Sequence, residues 1–180
     1  MSKPFLRMKT KIAYAAPALL ANLCLAMTMM SAPALGQTTP ATKEATMHAH
    51  GPFDVKIIPQ DDKLNDGISR MVLGKEYHGD LEGASQGQML AVGSAKSSGV
   101  YVAIETFAGT LLTSSGEKKS GGFSLHHTGI ITKNSPSLSI NVVPDSGTGQ
   151  LAGISGKMNI IIAPDGKHSY EFEYTLPKTD

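Results

Sequence analysis

The chain has 180 residues, with 16 lysines and arginines, 15 aspartates and glutamates, and one cysteine. A nearly neutral chain without a basic run does not favour nucleic acid or anionic lipid as a partner, and a lone cysteine cannot form an intramolecular disulfide. The composition indicates one domain held together by a packed core.

Residues 1–36 have the organisation of a secretory signal peptide. Four basic residues and no acidic one precede the apolar stretch "IAYAAPALLANLCLAMTMM", and small residues follow at Ala34 and Gly36. We predict cleavage between Gly36 and Gln37 and export to the periplasm or beyond, with no membrane segment in the mature form. An uncleaved anchor is the alternative. Cleavage removes Cys24 and leaves 12 basic against 15 acidic residues, a net charge of −3.

Residues 37–50, "QTTPATKEATMHAH", have no periodic apolar face. We predict a flexible segment here, followed by a single domain over residues 51–180. His48 and His50 could both touch one metal ion, but two ligands on a mobile tail make a weak site.

From residue 51 onward the apolar residues recur with a period of two, which is typical of half-buried strands. "HSYEFEYTL" (168–176) places His168, Tyr170, Phe172, Tyr174 and Leu176 on one face, and "GFSLHHTGII" alternates in the same way. Glycine, asparagine and aspartate turn signals break the chain into about eight such strands. We predict an all-β fold, an eight-stranded antiparallel β-barrel, with a two-sheet sandwich as the alternative.

Two stretches are apolar on both faces. They are "GVYVAIETFAGTLL" (99–112) and, nearly so, "KMNIIIA" (157–163). Strands of this kind need a second layer or a partner chain over their outer face. The pattern therefore leaves open a dimer that is formed through the strand near residues 100–107.

A glycine-rich phrase, "PDSGTGQLAGISG" (144–156), matches the loose G-x-G-x-x-A form of a dinucleotide-binding loop. That chemistry requires a helix after the loop, so that the helix N-terminus faces the pyrophosphate. The residues that follow, "KMNIII", are β-branched and favour a strand. We therefore predict a sharp corner between two strands and no nucleotide cofactor.

Several phrases together resemble the bacterial family known as domain of unknown function 3224. The most specific are "PDSGTGQLAGISG" and "HSYEFEYTLP" (168–177), and the likeness spans residues 51–177. The resemblance implies an eight-stranded barrel similar to the allene oxide cyclase barrel, often paired as a homodimer, with no assigned activity. Many relatives lack a signal peptide, so the predicted export departs from the family pattern.

Some polar residues share the predicted inner face. Glu105 faces inward if Tyr101, Ala103 and Phe107 do, and it then needs a partner because a buried carboxylate is costly. We predict His127 as that partner, an acid/base pair that could move protons near neutral pH. The alternative is a structural pair that only satisfies itself inside a filled barrel. The predicted ligand-binding residues are Tyr101, Ser85, His168, Tyr170 and Tyr174.

These features predict an exported barrel that binds a small apolar molecule, without a metal or cofactor. A cyclase or isomerase that uses Glu105 and His127 is the competing class, and a non-catalytic dimeric structural protein is the third. Ser85 is not on a nucleophile elbow, which argues against a serine hydrolase.

Overall fold

The computed structural model describes residues 45–61, 67–93, 98–132 and 136–177, and the predicted signal peptide lies outside these ranges. Within them the regular elements are β-strands, which confirms the predicted all-β fold. The strands are β1 (Met47–Gln60), β2 (Ser69–Tyr77), β3 (Leu81–Gly93), β4 (Gly99–Leu112), β5 (Lys118–Ile131), β6 (Ser137–Val142), β7 (Thr148–Gly149), β8 (Ser155–Ile162) and β9 (His168–Thr175).

Eight of these strands form a closed barrel. Strands β1 to β6 pair with their neighbours in chain order, β6 pairs with β8, β8 with β9, and β9 returns to β1. Every pairing is antiparallel, and the two-residue β7 adds to the edge of β5. Among the described residues each of the eight strands has a partner on both sides, although β6 and β8 share only the pair Asn141–Lys157. Closure of this kind removes free sheet edges. The predicted eight-stranded antiparallel barrel is confirmed.

The barrel begins earlier than the sequence predicted. Residues 47–50, assigned to a flexible segment, are strand and pair with residues 171–174 of β9. Their inward residue Ala49 is only 1% exposed. The period-two pattern is weak here because a small alanine stands between two histidines. His50 faces Asp80, with 3.1 Å between Nδ1 and Oδ2. The described residues contain no cluster of three or more potential metal ligands.

One end of the barrel is closed by aromatic rings. Phe107 packs on Phe123 with ring centroids 5.2 Å apart, and Phe123 stacks on Phe172 at 5.4 Å. The loop from residue 143 to 154 adds the buried side chains of Leu151 and Ile154 to this packing. Dispersion and apolar burial therefore make this half the stable core.

The glycine-rich phrase forms the predicted corner within that loop. Gly149 and Gly153 have φ angles of 60° and 78°, a left-handed conformation that glycine adopts without a steric penalty. β8 begins directly afterwards at Ser155, so a strand stands where a nucleotide-binding loop would require a helix.

The opposite half of the barrel is apolar on its outer surface as well. Among the described large apolar residues with high exposure, Ile57, Leu138 and Ile162 alternate onto the inner face at the mouth of the barrel. Those on the outer face of the strands are Ile58, Leu90, Val92, Val100, Val102, Ile104, Ile130 and Ile161. Those on β3, β4 and β5 stand next to one another, since Leu90 pairs with Val102 and Val100 with Ile130.

Among the described residues, no helix is long and apolar enough to cross a membrane.

Candidate functional site

The open half of the barrel encloses a cavity of about 570 Å³. Its wall is largely aliphatic and is contributed by every long strand of the barrel. Residues that line it include Val55, Ile57, Met71, Leu73, Met89, Ala91, Val100, Ile131, Leu138, Ile160 and Ile162. A cavity of this size with apolar walls and few polar groups has the character of a small-molecule site.

A buried polar cluster lies where the cavity meets the packed core, and Glu105 is its centre. Lys75 Nζ, His127 Nε2 and the Tyr77 hydroxyl lie 2.7, 3.1 and 3.2 Å from Glu105 Oε1. The Ser85 hydroxyl donates to Oε2 at 2.9 Å. We call these five residues the floor cluster. Each member is at most 5% exposed, so the cluster is shielded from bulk water.

The strand register explains this convergence. The floor cluster comes from four consecutive strands, β2 to β5, on which its members all point inward. Lys75 pairs with Ser85 across β2 and β3, and Gly87 pairs with Glu105 across β3 and β4. Gly87 leaves the space that the carboxylate needs, because a Cβ atom at this position would lie 2.6 Å from the Cβ of Glu105.

The electrostatics of the cluster keep Glu105 ionised. Burial by itself raises the pKa of its carboxyl, but the hydrogen bond from His127 and the positive charge of Lys75 outweigh burial and lower the pKa to about 2. Burial, reinforced by the negative charge of Glu105, raises the pKa of Tyr77, so the phenol remains neutral. Because the carboxylate can only accept, the facing Nε2 of His127 carries a proton.

This arrangement changes the predicted chemistry of the pair. The structure brings Glu105 and His127 into contact as the sequence predicted, but it adds Lys75 as a counter-ion. A carboxyl group with a pKa of about 2 does not exchange protons near neutral pH. Any proton transfer would involve His127, with Glu105 as a fixed negative charge that orients the imidazole ring. The catalytic assignment of both residues stays a prediction.

The predicted ligand-binding residues divide into two groups. Tyr101 and His168 line the cavity, and the His168 ring lies 5.3 Å from that of Phe53. Ser85 lies behind the wall, bound to Glu105.

Tyr170 and Tyr174 point into the barrel but stand away from the cavity, within the packed half. The Tyr170 hydroxyl accepts from the Leu81 N–H at 2.7 Å and donates to the His78 carbonyl at 3.2 Å. Burial raises the pKa of Tyr170 to about 12. The Tyr174 hydroxyl is buried without a hydrogen-bond partner among the described residues. Alternation predicts which face a residue occupies but not its depth along the barrel axis, and this is why both tyrosines were assigned to the ligand site.

Sequence reasoning missed Lys75 and Tyr77. The signal was present in "RMVLGKEYH" (70–78), where Met71, Leu73, Lys75 and Tyr77 alternate with residues of the other face. A lysine in register with buried apolar residues indicates an internal charge that needs a partner. Applied to this strand, the rule identifies Lys75 as an internal charge that needs a partner, and the structure shows that this partner is Glu105.

Comparison with known proteins agrees with the fold and names a family. Residues 49–174 match the family described as "Protein of unknown function (DUF3224)". A crystal structure of a protein of unknown function from that family, from Shewanella oneidensis MR-1, is similar, with 39% sequence identity and a TM-score of 0.66. The likeness covers 75% of this chain and 100% of that one. No curated protein matches the chain, and the likeness to allene oxide cyclase stays a prediction. The match over most of the barrel shows that this chain is a member of the DUF3224 family.

Proposed function

We propose that this protein is an exported barrel that binds a small apolar molecule. The observation that carries the proposal is the asymmetry of the interior. Aromatic rings fill one half, whereas the other half keeps a cavity of about 570 Å³ with aliphatic walls. Small eight-stranded barrels either fill their interior with side chains or hold one small ligand. A bound apolar ligand would displace water from the aliphatic wall. Removing this apolar surface from water is favourable and would contribute to the binding free energy.

Filling the cavity with a side chain tests the proposal. Ala91 lies on the cavity wall, and Ala108 is an exposed residue on the outer face of β4. Ala91→Phe should abolish the thermal stabilisation that apolar compounds give the wild type, whereas the matched control Ala108→Phe should retain it. A ligand at a hundred times its Kd stabilises a protein by about 2.7 kcal/mol, which a thermal-shift assay resolves easily. Equal stabilisation of both variants, or none for the wild type, would overturn the proposal.

An isomerase or cyclase is the alternative, and one observation favours it. His127 reaches the cavity wall while Glu105 fixes its other side, which is how a general base is oriented. An enzyme of this kind would lose turnover sharply in His127→Ala while remaining folded. A pure binding protein would show no turnover with any compound that stabilises it.

We also propose a homodimer through the outer face of β3, β4 and β5. The apolar residues of these strands are adjacent in register, and Ile104 on the middle strand, β4, is 61% exposed. Contiguous apolar surface of this kind is typical of an interface. Light scattering should show a dimer that Ile104→Lys converts to a monomer, while Ile161→Lys on β8 leaves the dimer intact. A monomeric wild type would refute the assignment.

Export is the remaining part of the proposal. It rests on the order of basic, apolar and small residues in positions 1–36. Expression in a bacterial host should yield a mature chain that begins at Gln37, as measured by intact mass. A chain that keeps residues 1–36 would contradict it.

A further inference from the structure

We infer that the ligand of the cavity is a neutral apolar molecule with a hydroxyl group, and that Lys75 and His127 bind this hydroxyl. The inference rests on the proposed function and specifies its ligand class. Within the floor cluster, Lys75 and His127 line the cavity, whereas Glu105, Ser85 and Tyr77 stand behind them. Both residues on the wall also keep hydrogen-bonding capacity for a ligand.

Lys75 has a free donor. Its ammonium group carries three N–H bonds. One is donated to Glu105 Oε1 at 2.7 Å, and a second reaches the Tyr77 hydroxyl at the long distance of 3.4 Å. The third has no acceptor in the part of the chain that the structure describes. The Lys75 Nζ atom also lies 5.4 Å from the centroid of the Phe53 ring. This cation–π contact stabilises the positive charge, but the ring is not a conventional hydrogen-bond acceptor.

His127 supplies the complementary acceptor. Its Nε2–H is committed to Glu105, so in the neutral ring Nδ1 carries a lone pair. Nδ1 has no hydrogen-bond partner among the described residues, and the ring forms part of the cavity wall. The wall therefore offers one donor, from Lys75, and one acceptor, from His127.

The charge balance of the floor favours a neutral partner. Lys75 and Glu105 neutralise each other across 2.7 Å, so an anionic ligand would bring an uncompensated charge into a poorly solvated site. A hydroxyl group satisfies both residues without charge: its O–H donates to Nδ1 of His127, and its oxygen accepts from Nζ of Lys75. An ether or ketone can only accept, and would leave Nδ1 without a partner.

Three matched probes test this inference: 2-naphthol, 2-methoxynaphthalene and 2-naphthoate. They share one apolar body and present a neutral donor and acceptor, an acceptor alone, and an anion. Their Kd values for the mature protein at pH 7 can be measured by calorimetry. We expect 2-naphthol to bind about fivefold more tightly than 2-methoxynaphthalene, since one hydrogen bond contributes about 1 kcal/mol and 1.4 kcal/mol is tenfold. 2-Naphthoate should bind more weakly than 2-naphthol.

The variant that isolates the contact is His127→Gln. The glutamine amide nitrogen can occupy the Nε2 position and keep the hydrogen bond to Glu105, while the Nδ1 acceptor is lost. The preference for 2-naphthol over its methyl ether should fall to about onefold, with the affinity for the ether changed less than threefold. His126→Gln, on the exposed outer face of the same strand, is the matched control and should keep the full preference. Circular dichroism verifies that both variants are folded.

The outcomes separate the two claims. Equal binding of all three probes, or tightest binding of 2-naphthoate, overturns the hydroxyl site and leaves the apolar cavity as proposed. An unchanged preference in His127→Gln also overturns it. Failure of all three probes to bind contradicts the proposed function and this inference with it.

Discussion

The ion pair between Lys75 and Glu105 should dominate the response of this protein to mutation. Lys75→Met keeps the volume of the side chain but removes the charge that lies 2.7 Å from the carboxylate. The partners of Glu105 together lower its pKa from 4.5 to about 2. At 1.36 kcal/mol per pH unit this corresponds to about 3 kcal/mol in favour of the charged form. Breaking a buried pair from one side typically costs about 3–5 kcal/mol, so we expect Lys75→Met to lower the free energy of unfolding by about 3 kcal/mol.

Urea unfolding at pH 7, followed by far-UV circular dichroism because the chain has no tryptophan, measures this loss. The matched control is Lys157→Met, which removes a lysine from an exposed pair with Glu173 at 3.4 Å. It should cost less than about 1 kcal/mol.

A double variant distinguishes loss of the ion pair from loss of packing. Lys75→Met combined with Glu105→Gln removes both charges, so it should recover at least half of the stability that the single variant loses. The reasoning fails if Lys75→Met matches the Lys157→Met control, or if the double variant is no more stable than Lys75→Met alone.

Three other outcomes follow from the same structure. Since folding lowers the pKa of Glu105 to about 2, its ionised form stabilises the protein above pH 4.5, and this contribution is lost as the pH falls towards 2. Unfolding curves of the wild type should therefore lose about 3 kcal/mol more than those of Glu105→Gln between about pH 5 and pH 2; parallel curves would contradict this. Tyr170→Phe removes a hydroxyl with two backbone partners and should lower the free energy of unfolding, measured in urea, by about 1–3 kcal/mol. Tyr174→Phe removes a hydroxyl with no described partner and should lower it by less than about 0.5 kcal/mol. Equal losses in the two variants would refute this contrast. Leu151→Ala in the packed end should lower the free energy of unfolding by about 2–5 kcal/mol, and Ile162→Ala at the cavity rim by less than about 1 kcal/mol. Shifts of the urea midpoint measure both losses. A larger loss for Ile162→Ala would place the stable core at the other end of the barrel.

Strand alternation predicted the inner face of the barrel because side chains on a strand alternate strictly between its two faces. In residues 170–176 the predicted inward set is the buried one, and residues 123–127 of β5 agree. The predicted contact between Glu105 and His127 follows from the same rule, because neighbouring strands in chain order pair. The start of β1 was predicted too late, since a small alanine between two histidines gives a weak pattern.

The sequence by itself determined that the fold is all-β, which residues of each strand share a face, and that a carboxylate on the inner face needs a partner. These are consequences of local periodicity, which each strand carries in its own residues. Only the tertiary structure decided that the strands close into a barrel, which half of the interior is filled, that Lys75 pairs with Glu105, and that Tyr170 and Tyr174 belong to the core. Those properties depend on register and on position along the barrel axis, which arise when strands distant in sequence pair and cannot be read from any one of them.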